Sequence, residues 1–411
     1  MKKPVLKRQA DPLSLARSLL QQHWGHADFR PYQVPVIKAA LEGQDVLAIL
    51  ATGYGKSLCF QIPAMCLEGT ALVISPLIAL MKDQVDDCQR RYIPASFINS
   101  HVTESDKCER YGNLRAGAYK LFYVAPERLE SNEFRRVIST TQVSFVVTDE
   151  AHSVSKFGYD FRPSYMKIKG LVRFIAEHQT RPPVLGFTAT APTDVEADIV
   201  EGLEMKPDYC RVMADPVRPN LAYNVMRGNE WSNLYMVLRS FKPHEGRYIV
   251  YTGTRNLAEM LARDAEEDCE CETACYHAGM TKAERTEVQE RFKRGATPVI
   301  VATSAFGMGI DIPNIRGVVH FGIPGSVEDY CQAAGRAGRD GLRSDVTLIH
   351  NERGVSLCRF FLDMNNPPWH IYEGLWEWIH DEFTEGQAFK LSGTIIAQRL
   401  RLRGCDTSPT R

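Results

Sequence analysis

The stretch VLAILATGYGKSLCFQ, residues 46–61, joins a short apolar run to a turn with two glycines and a Lys-Ser pair. Glycines let several backbone N–H groups converge on an anion, and the N-terminus of a following helix adds its dipole. This order of strand, loop and helix is the one that a phosphate-binding loop requires. Lys56 is expected to reach the β- and γ-phosphates, and Ser57 to ligate Mg²⁺. The other loop residues expected at the nucleotide are Thr52, Gly53 and Gly55.

A second element supports this interpretation. Leu50 stands where the full GxxxxGK[ST] pattern has its first glycine, so the loop by itself could be an ordinary turn. However, the apolar run VSFVVTDEAH ends in Asp149 and Glu150, at the sheet edge where open α/β sheets bind ligands. Asp149 is expected to hold Mg²⁺, and Glu150 to orient or deprotonate the attacking water. The alternative is a solvated acidic pair at the start of a helix. Together the two elements predict a nucleoside triphosphatase site.

The rest of the chain repeats the alternation of short apolar runs and longer segments of helical spacing. Buried parallel strands joined by crossover helices give this pattern, which predicts the α/β class. A Pro- and Asp-containing stretch of low periodicity, 206–220, is interpreted as a linker. The predicted organisation is a first lobe over 1–205, a second over 221–350, and a short helical C-terminal tail over 351–411. The predicted strands are 46–51, 71–76, 120–126, 143–149, 183–190, 247–252, 273–279, 298–303, 316–321 and 345–350.

Composition narrows the class of protein further. With 411 residues, 44% hydrophobic and 24% charged, the chain has the composition of a globular protein of two or three domains. No apolar run approaches the roughly 18 residues of a membrane span, and the N-terminus has no apolar signal region, so an intracellular protein is expected. The eleven scattered cysteines are expected to be reduced. The net charge of −1 provides no global attraction for a polyanion, so a nucleic acid would need a local track.

Several motifs occur in an order that resembles one known family. TGYGKS, DEAH, GFTATAP (186–192) and QAAGRAGRDG (332–341) are similar to motifs of the RecQ family of superfamily 2 helicases. The resemblance covers roughly 13–350. Its most specific element is LLQQHWGHADFRPYQ (19–33), which matches the nucleotide-recognition motif of the family. The matching residues are Leu20, Trp24, Gly25, Phe29, Arg30 and Gln33.

This resemblance implies a fold and an activity. The implied fold has two RecA-like lobes with mostly parallel sheets, the fold of P-loop NTPases. The implied activity is ATP- and Mg²⁺-dependent 3′→5′ movement on single-stranded DNA with unwinding of duplexes, forks or junctions, in DNA repair and recombination. A monomer without membrane contact is expected, and protein partners are not defined by the sequence.

The same resemblance assigns residues to the nucleotide. The Gln33 amide can pair bidentately with adenine, and the planar Arg30 guanidinium can stack on the base. His26 lies where the family often has an aromatic residue for the other face of the base. Alternatively, Arg30 and Gln33 belong to a solvated helix face. Asp311 is placed to contact the ribose, or it is an ordinary Asp in a turn before Pro313.

The second lobe is expected to supply cations across the cleft. Arg336 and Arg339 lie three residues apart, so a helix would place them on one side. By resemblance, Arg339 is the arginine finger with Arg336 beside it. Such a group accelerates related NTPases by about 10³–10⁵.

A loop after the DEAH motif, SVSKFGYDFRPSY (153–165), mixes aromatic and cationic residues. Aromatic rings stack on bases and cations neutralise phosphates, as a single-strand track requires. It resembles the aromatic-rich loop that couples DNA to ATP hydrolysis in the family. Phe157 replaces the Trp of the family and Tyr159 its His, so weaker coupling is expected. The DNA contacts predicted here are Phe157, Phe161 and Arg162, while the alternative is that the aromatic residues, including Tyr165, pack in the core.

Further phosphate contacts are predicted where strands end before helices. The backbone N–H groups there point outward, although each residue could equally be an ordinary N-cap. These predicted contacts are Ser75, Thr254, Arg255 and Thr303.

The family commonly has a zinc-binding subdomain and a winged helix after the two lobes. After residue 341 only Cys358 and Cys405 remain, too few for four thiolates, so a zinc-free protein is expected. The other candidate zinc site is Cys269, Cys271, Cys275 and His277, where buried thiols are the favoured interpretation.

Two alternatives to the helicase function stay open, and so does the choice between DNA and RNA. One is a translocase that hydrolyses ATP on single-stranded DNA with little unwinding. Another is a non-catalytic DNA-binding scaffold, against which Lys56, Asp149, Glu150 and Arg339 argue because all four are present. RNA is a possible substrate, since backbone-tracking grooves distinguish the two sugars only through the 2′-hydroxyl.

Overall fold

The computed structural model describes most of the two lobes and part of the tail. The described residues are 12–76, 78–99, 102–155, 162–215, 217–242, 244–269, 272–306, 312–352, 354–356, 359, 368–382 and 396. None of the helices in these ranges combines the length and the apolar character of a membrane span.

The first lobe is built on a parallel sheet in the order β3-β4-β2-β5-β6-β1-β7. Its central strands are buried because helices cover both faces, which explains their continuous apolar sequences. The strands are β1 (Val46–Ile49), β2 (Thr70–Ile74), β3 (Ala95–Ile98), β4 (Leu121–Val124), β5 (Val143–Thr148), β6 (Val184–Thr188) and β7 (Cys210–Met213). The helices are α1 (Pro12–Trp24), α2 (Gln33–Leu41), α3 (Leu58–Cys66), α4 (Ile78–Arg90), α5 (Glu104–Arg115), α6 (Asn132–Ile138), α7 (Lys167–His178) and α8 (Thr193–Gly202).

The second lobe has its own parallel sheet in the order β10-β11-β9-β12-β13-β8. Its strands are β8 (Leu221–Arg227), β9 (Arg247–Thr252), β10 (Thr273–Tyr276), β11 (Val299–Ala302), β12 (Ile315–Phe321) and β13 (Ser344–His350). Its helices are α9 (Glu230–Arg239), α10 (Arg255–Cys269), α11 (Lys282–Arg294) and α12 (Val327–Ala334), and the tail contains α13 (Trp369–Glu382). The predicted α/β class with two parallel sheets and a helical tail is therefore confirmed.

The predicted linker, 206–220, differs from the structure in one part. Its segment Cys210–Met213 forms β7, which pairs with β1 at the edge of the first sheet. Edge strands have one unpaired side, and β7 buries only Val212, so its sequence lacks the apolar run of a central strand. The lobe boundaries themselves stay a prediction.

The N-terminal helices form a small separate core against α3. Leu20 of α1 and Phe29 before α2 are buried there together with Ile37 and Ile62. Two residues of the nucleotide-recognition motif are therefore packing residues. They fix α1 and α2 beside the loop that follows β1.

Candidate nucleotide site and nucleic-acid track

The loop after β1, residues 52–57, is called the phosphate loop here. Gly53 and Gly55 have φ angles of +85° and +79°, a left-handed conformation that residues with a Cβ rarely adopt. A Cβ on Gly55 would lie 2.6 Å from the Gln33 amide nitrogen, so a larger residue would displace this amide. The loop leads directly into α3, which begins at Leu58. The predicted order of strand, loop and helix is therefore present.

The residues assigned to base recognition hold the phosphate loop. Arg30 Nη1 donates a hydrogen bond to the Gly53 carbonyl at 2.8 Å. Gln33 Nε2 donates to the carbonyls of Tyr54 at 3.3 Å and Gly55 at 3.2 Å. Gln33 is only 2% exposed, so the alternative of a solvated helix face is wrong for this residue. His26 is exposed between α1 and α2.

The two acidic residues follow β5 directly. Desolvation raises the pKa of Asp149 to about 7, the neighbouring Glu150 charge adds to this rise, and Lys56 opposes it. The effect of Lys56 reflects its closeness to Asp149, as the sequence motifs predicted. The Asp149 carboxylate also accepts a hydrogen bond from the Glu150 backbone N–H at 3.0 Å.

These groups fit a magnesium ion. The Asp149 carboxylate and the Ser57 hydroxyl offer the oxygen ligands that Mg²⁺ prefers. Asp149 and Glu150 each carry a carboxylate within a partly desolvated site, which disfavours ionisation of Asp149. A divalent cation would offset this repulsion and restore the charged form.

Glu150 has an unusual backbone conformation, and contacts from neighbouring side chains stabilise this region. Its φ and ψ of 49° and 50° lie in the left-handed region, which costs a non-glycine residue about 1–3 kcal/mol. The Tyr165 hydroxyl donates to the Asp149 carbonyl at 2.9 Å. His152 lies 3.5 Å from the Glu150 carboxylate and 3.1 Å from the Thr188 hydroxyl at the end of β6. The GFTATAP motif is thus linked to the predicted water-orienting residue.

The arginines of the second lobe lie after a helix, contrary to expectation. Helix α12 ends at Ala334, and the turns that follow, residues 335–341, are called the arginine loop here. Gly338 has a φ of +56°, which is incompatible with a continuing helix. The helical placement of Arg336 and Arg339 was therefore wrong, yet both face the first lobe.

Each arginine has different surroundings. Arg336 is buried and forms a hydrogen bond with Tyr251. Burial is the main cause of its lowered pKa. Arg336 also lies close enough to Glu150 for the carboxylate charge to raise the pKa of the guanidinium. Arg339 lies against the phosphate loop, since its Cγ is 3.3 Å from where a Cβ on Gly53 would lie. The two lobes therefore approach each other at the candidate nucleotide site.

The aromatic-rich loop is described only at its ends. Phe157, Tyr159, Phe161 and Lys156 lie outside the described residues, and so does Asp311. Arg162 donates to the Pro76 carbonyl at 3.3 Å, and its backbone N–H bonds the Ser153 carbonyl at 3.0 Å. Tyr165 is fully buried in the core of the first lobe, so for this residue the packing alternative is correct.

The predicted strand-end contacts divide into exposed and buried residues. Thr254 and Arg255 are exposed at the start of α10, where the Thr254 hydroxyl also accepts from the Leu257 N–H at 3.3 Å. Ser75 is only 2% exposed, which keeps its side chain below the surface. Thr303 is half-buried and is followed by a turn rather than by the expected helix.

The candidate zinc residues are not assembled within the described part of the chain. His277 is buried and lies 2.9 Å from the Glu259 carboxylate. Cys275 is half-buried on β10. Cys271 and the Cys269 side chain lie outside the described residues. In the ranges given above, no three or more His, Cys, Asp or Glu side chains are arranged to hold a metal.

Two residues near the site had no role assigned from the sequence. Tyr251, the partner of Arg336, also donates from its hydroxyl to the Phe306 carbonyl at 3.0 Å. Arg218 donates to the arginine loop from the segment between the sheets. The available signal in the sequence was position alone, because Tyr251 lies near the end of a predicted strand and Arg218 lies in the predicted linker.

Known proteins resemble this chain over both lobes. The chain matches the DEAD/DEAH box helicase family over residues 30–198 and the helicase conserved C-terminal domain over 231–341. The ATP-dependent DNA helicase RecQ of Bacillus subtilis is 42% identical over 86% of this chain and 59% of its own length. RecQ of Synechocystis is 36% identical over 84% of this chain and 73% of its own length. The chain thus spans about three fifths of the B. subtilis protein.

A solved structure supports the fold independently. The helicase Lhr of Mycobacterium smegmatis, bound to single-stranded DNA and AMP-PNP, superposes with a TM-score of 0.65. The superposition covers 85% of this chain and 50% of Lhr, at 22% sequence identity. The two sheets are therefore arranged as RecA-like lobes.

Proposed function

Because this chain belongs to the RecQ family of helicases, we propose that it is an ATP-dependent DNA helicase. It would couple ATP hydrolysis to 3′→5′ movement along single-stranded DNA and to duplex unwinding. The observation that carries the proposal is the convergence of Lys56 and Asp149 in one lobe with Arg336 of the other, which lies close to Glu150. Because the site is shared, its geometry can change when the lobes move relative to each other. This lobe movement can drive translocation.

Each residue would have a defined role in hydrolysis. Lys56 would bind the β- and γ-phosphates, and Asp149 with Ser57 would hold Mg²⁺, which supplies charge neutralisation on the phosphates. Glu150 would orient the attacking water and accept its proton. Arg339, as the finger, and Arg336 would stabilise the negative charge that develops on the transferred phosphoryl group.

Gln33 and Arg30 would contact ATP while supporting the phosphate loop. Their hydrogen bonds to the carbonyls of Gly53, Tyr54 and Gly55 place both side chains at the loop. His26 would face the base, and Asp311 the ribose, as the family resemblance implies. A bound adenine that uses the Gln33 amide would exchange at least one of these loop contacts.

Single-stranded DNA would bind across the two lobes. Thr254 and Arg255 are exposed at the start of α10 and suit phosphate contacts. Phe157, Phe161 and Arg162 would bind DNA and link this binding to ATP hydrolysis at Asp149 and Glu150. Backbone groups near Ser75 and Thr303 would contribute further contacts to the DNA phosphates. Forks and junctions formed in repair and recombination are the expected substrates, with the protein acting inside the cell as a monomer.

An unwinding assay with tailed duplexes tests this proposal. Short duplexes with a 3′ tail, a 5′ tail or blunt ends would be incubated with ATP and Mg²⁺, and RNA duplexes would be run in parallel. We expect unwinding of the DNA with the 3′ tail and little of the other substrates. ATP hydrolysis on single-stranded DNA without strand separation would favour the translocase, and binding without hydrolysis would favour the scaffold.

A further inference from the structure

Arg218 lies at the junction of the two lobes, in the segment that joins them. It is only 8% exposed, so its charge is largely removed from water. Burial is the main cause of its lowered pKa, and the charges of Arg339 and Arg30 lower it as well. Holding a cation beside other cations is unfavourable unless its hydrogen bonds or a bound anion compensate.

The hydrogen bonds of Arg218 are directed at the arginine loop. Nη1 donates to the Gly335 carbonyl at 3.1 Å, and Nη2 donates to the Gly338 carbonyl. These carbonyls belong to the peptide groups immediately before Arg336 and Arg339. One planar guanidinium therefore fixes the peptide groups that lead into both arginines.

A neighbouring side chain supports the same loop. Asn220 Nδ2 donates to the Gly338 carbonyl and to the Leu342 carbonyl, both at 2.9 Å. A Cβ on Gly338 would lie 2.5 Å from this amide nitrogen, so the glycine permits the close approach. The sequence Arg218-Pro219-Asn220 thus bonds two carbonyls of the arginine loop and the Leu342 carbonyl that follows it.

Arg218 also contacts the first lobe. Its Nη1 lies 3.3 Å from where a Cβ on Gly53 would lie, and the Gly335 carbonyl oxygen lies 3.5 Å from the same point. A Cβ on Gly335 would in turn lie 2.8 Å from the Thr52 Cβ. Arg218 is therefore placed between the phosphate loop and the arginine loop.

We infer that Arg218 is a positioning residue, which holds the arginine loop so that Arg336 and Arg339 face the triphosphate. This inference rests on the proposed function. Lysine at this position would keep the charge but lose the fork that spans two carbonyls. A misplacement of about 1 Å at a catalytic group can cost about 100-fold in rate.

The inference is tested by measuring steady-state ATP hydrolysis of the Arg218→Lys variant in the presence of single-stranded DNA. The Arg227→Ala variant, which loses an exposed arginine on β8, is the control. Turnover is expressed per nucleotide-binding site, counted with a fluorescent ATP analogue, so that unfolded protein does not contribute. We expect kcat to fall about 10–100-fold in Arg218→Lys, with KM for ATP within about threefold of wild type. Wild-type kcat in Arg218→Lys, or a rise in KM with unchanged kcat, would overturn the inference.

Amide hydrogen exchange separates this inference from the proposed function, because it requires no hydrolysis. Peptides that cover residues 332–342 should exchange faster in Arg218→Lys than in wild type and in Arg227→Ala. If the wild-type protein lacks ATPase activity but this difference is present, the proposed function fails and the positioning role stands. Equal exchange in all three proteins would overturn the positioning role.

Discussion

The phosphate loop and the arginine loop both contain closely spaced glycines, but different parts of the molecule hold them. Arg30 and Gln33, from the same lobe, bond the carbonyls of the phosphate loop. The arginine loop is bonded by Arg218 and Asn220, which precede the second sheet in the chain. The first loop can therefore form within one lobe, whereas the position of the second depends on the segment between the lobes.

This difference predicts a division of labour. Arg30 and Gln33, which hold the phosphate loop, should govern how tightly ATP binds, because they shape the nucleotide-binding loop within one lobe. Residues around the arginine loop should govern turnover, because Arg336 and Arg339 approach the nucleotide site from the other lobe. Variants on each side should thus change different kinetic constants.

The largest effect is expected for Lys56→Ala, which removes the cation beside Asp149. ATP hydrolysis should fall by more than about 10³-fold, which is the upper end of the cost of removing one stabilising group from a preorganised site. The fold should be unaffected because a loop side chain is removed from outside the core. Lys38→Ala on the exposed face of α2 is the matched control. Turnover near that of the wild type in Lys56→Ala would contradict the site assignment.

The next effect is expected for Arg336→Ala and Arg339→Ala. Each should lower kcat by about 10³ while KM for ATP changes much less, because the first lobe alone binds most of the nucleotide. Exposed Arg343, in the same lobe, provides the control variant Arg343→Ala. Steady-state kinetics on single-stranded DNA gives both constants. If KM rises as much as kcat falls, the proposed division between the loops is wrong.

A smaller effect is expected for Gln33→Ala, which loses two hydrogen bonds to the phosphate loop. At about 1 kcal/mol for each of the two bonds, KM for ATP should rise about thirtyfold with little change in kcat. Preference for ATP over GTP should also weaken, since an amide can distinguish the two bases. The exposed α1 variant Gln21→Ala is the control. An unchanged KM together with an unchanged preference would refute this role.

The smallest effect is a pH-dependent change in stability in Asp149→Asn. The pKa of Asp149 is raised to about 7 in the fold, from an ordinary value of 3.8, so the fold favours the protonated form. Stability should therefore fall as pH rises from about 4 to about 7, and Asn removes this loss. In metal-free protein, the variant should melt higher than wild type at pH 8, by about 2–4 °C for each kcal/mol.

The measurement for this variant is thermal melting at pH 5 and pH 8, with and without Mg²⁺. The advantage of Asp149→Asn should shrink at pH 5, and Mg²⁺ should stabilise the wild type more than the variant. Asp264→Asn on the exposed face of α10 controls for a general change in charge. Equal advantages at both pH values would show that Asp149 is not the source.

The three strands that the sequence analysis missed all lie at sheet edges, although one edge strand, β10, was predicted. Central strands such as β1 and β2 are covered on both faces, so they are continuous apolar runs. The missed strands β3, β7 and β8 all lie at sheet edges, and β8 buries only Leu221 fully. An edge strand is stabilised by pairing with one neighbour, and local composition does not reveal that neighbour.

In the candidate site, too, the sequence identified some residues and missed contacts between distant segments. Motif order identified Lys56, Asp149, Glu150 and the two arginines, because these residues carry recognisable chemistry. The sequence did not reveal that the Tyr165 hydroxyl donates to the Asp149 carbonyl, or that the positive φ of Gly338 prevents a continuous helix through Arg339. Both features depend on contacts between segments far apart in the chain.

The central claim is that single-stranded DNA activates ATP hydrolysis at a site shared by the two lobes. The most direct measurement is the steady-state rate of ATP hydrolysis by the wild-type protein with Mg²⁺, with and without saturating single-stranded DNA. We predict that DNA raises kcat by at least about tenfold, which corresponds to about 1.4 kcal/mol of transition-state stabilisation. An equal rate with and without DNA, in protein that demonstrably binds the DNA, would contradict the claim.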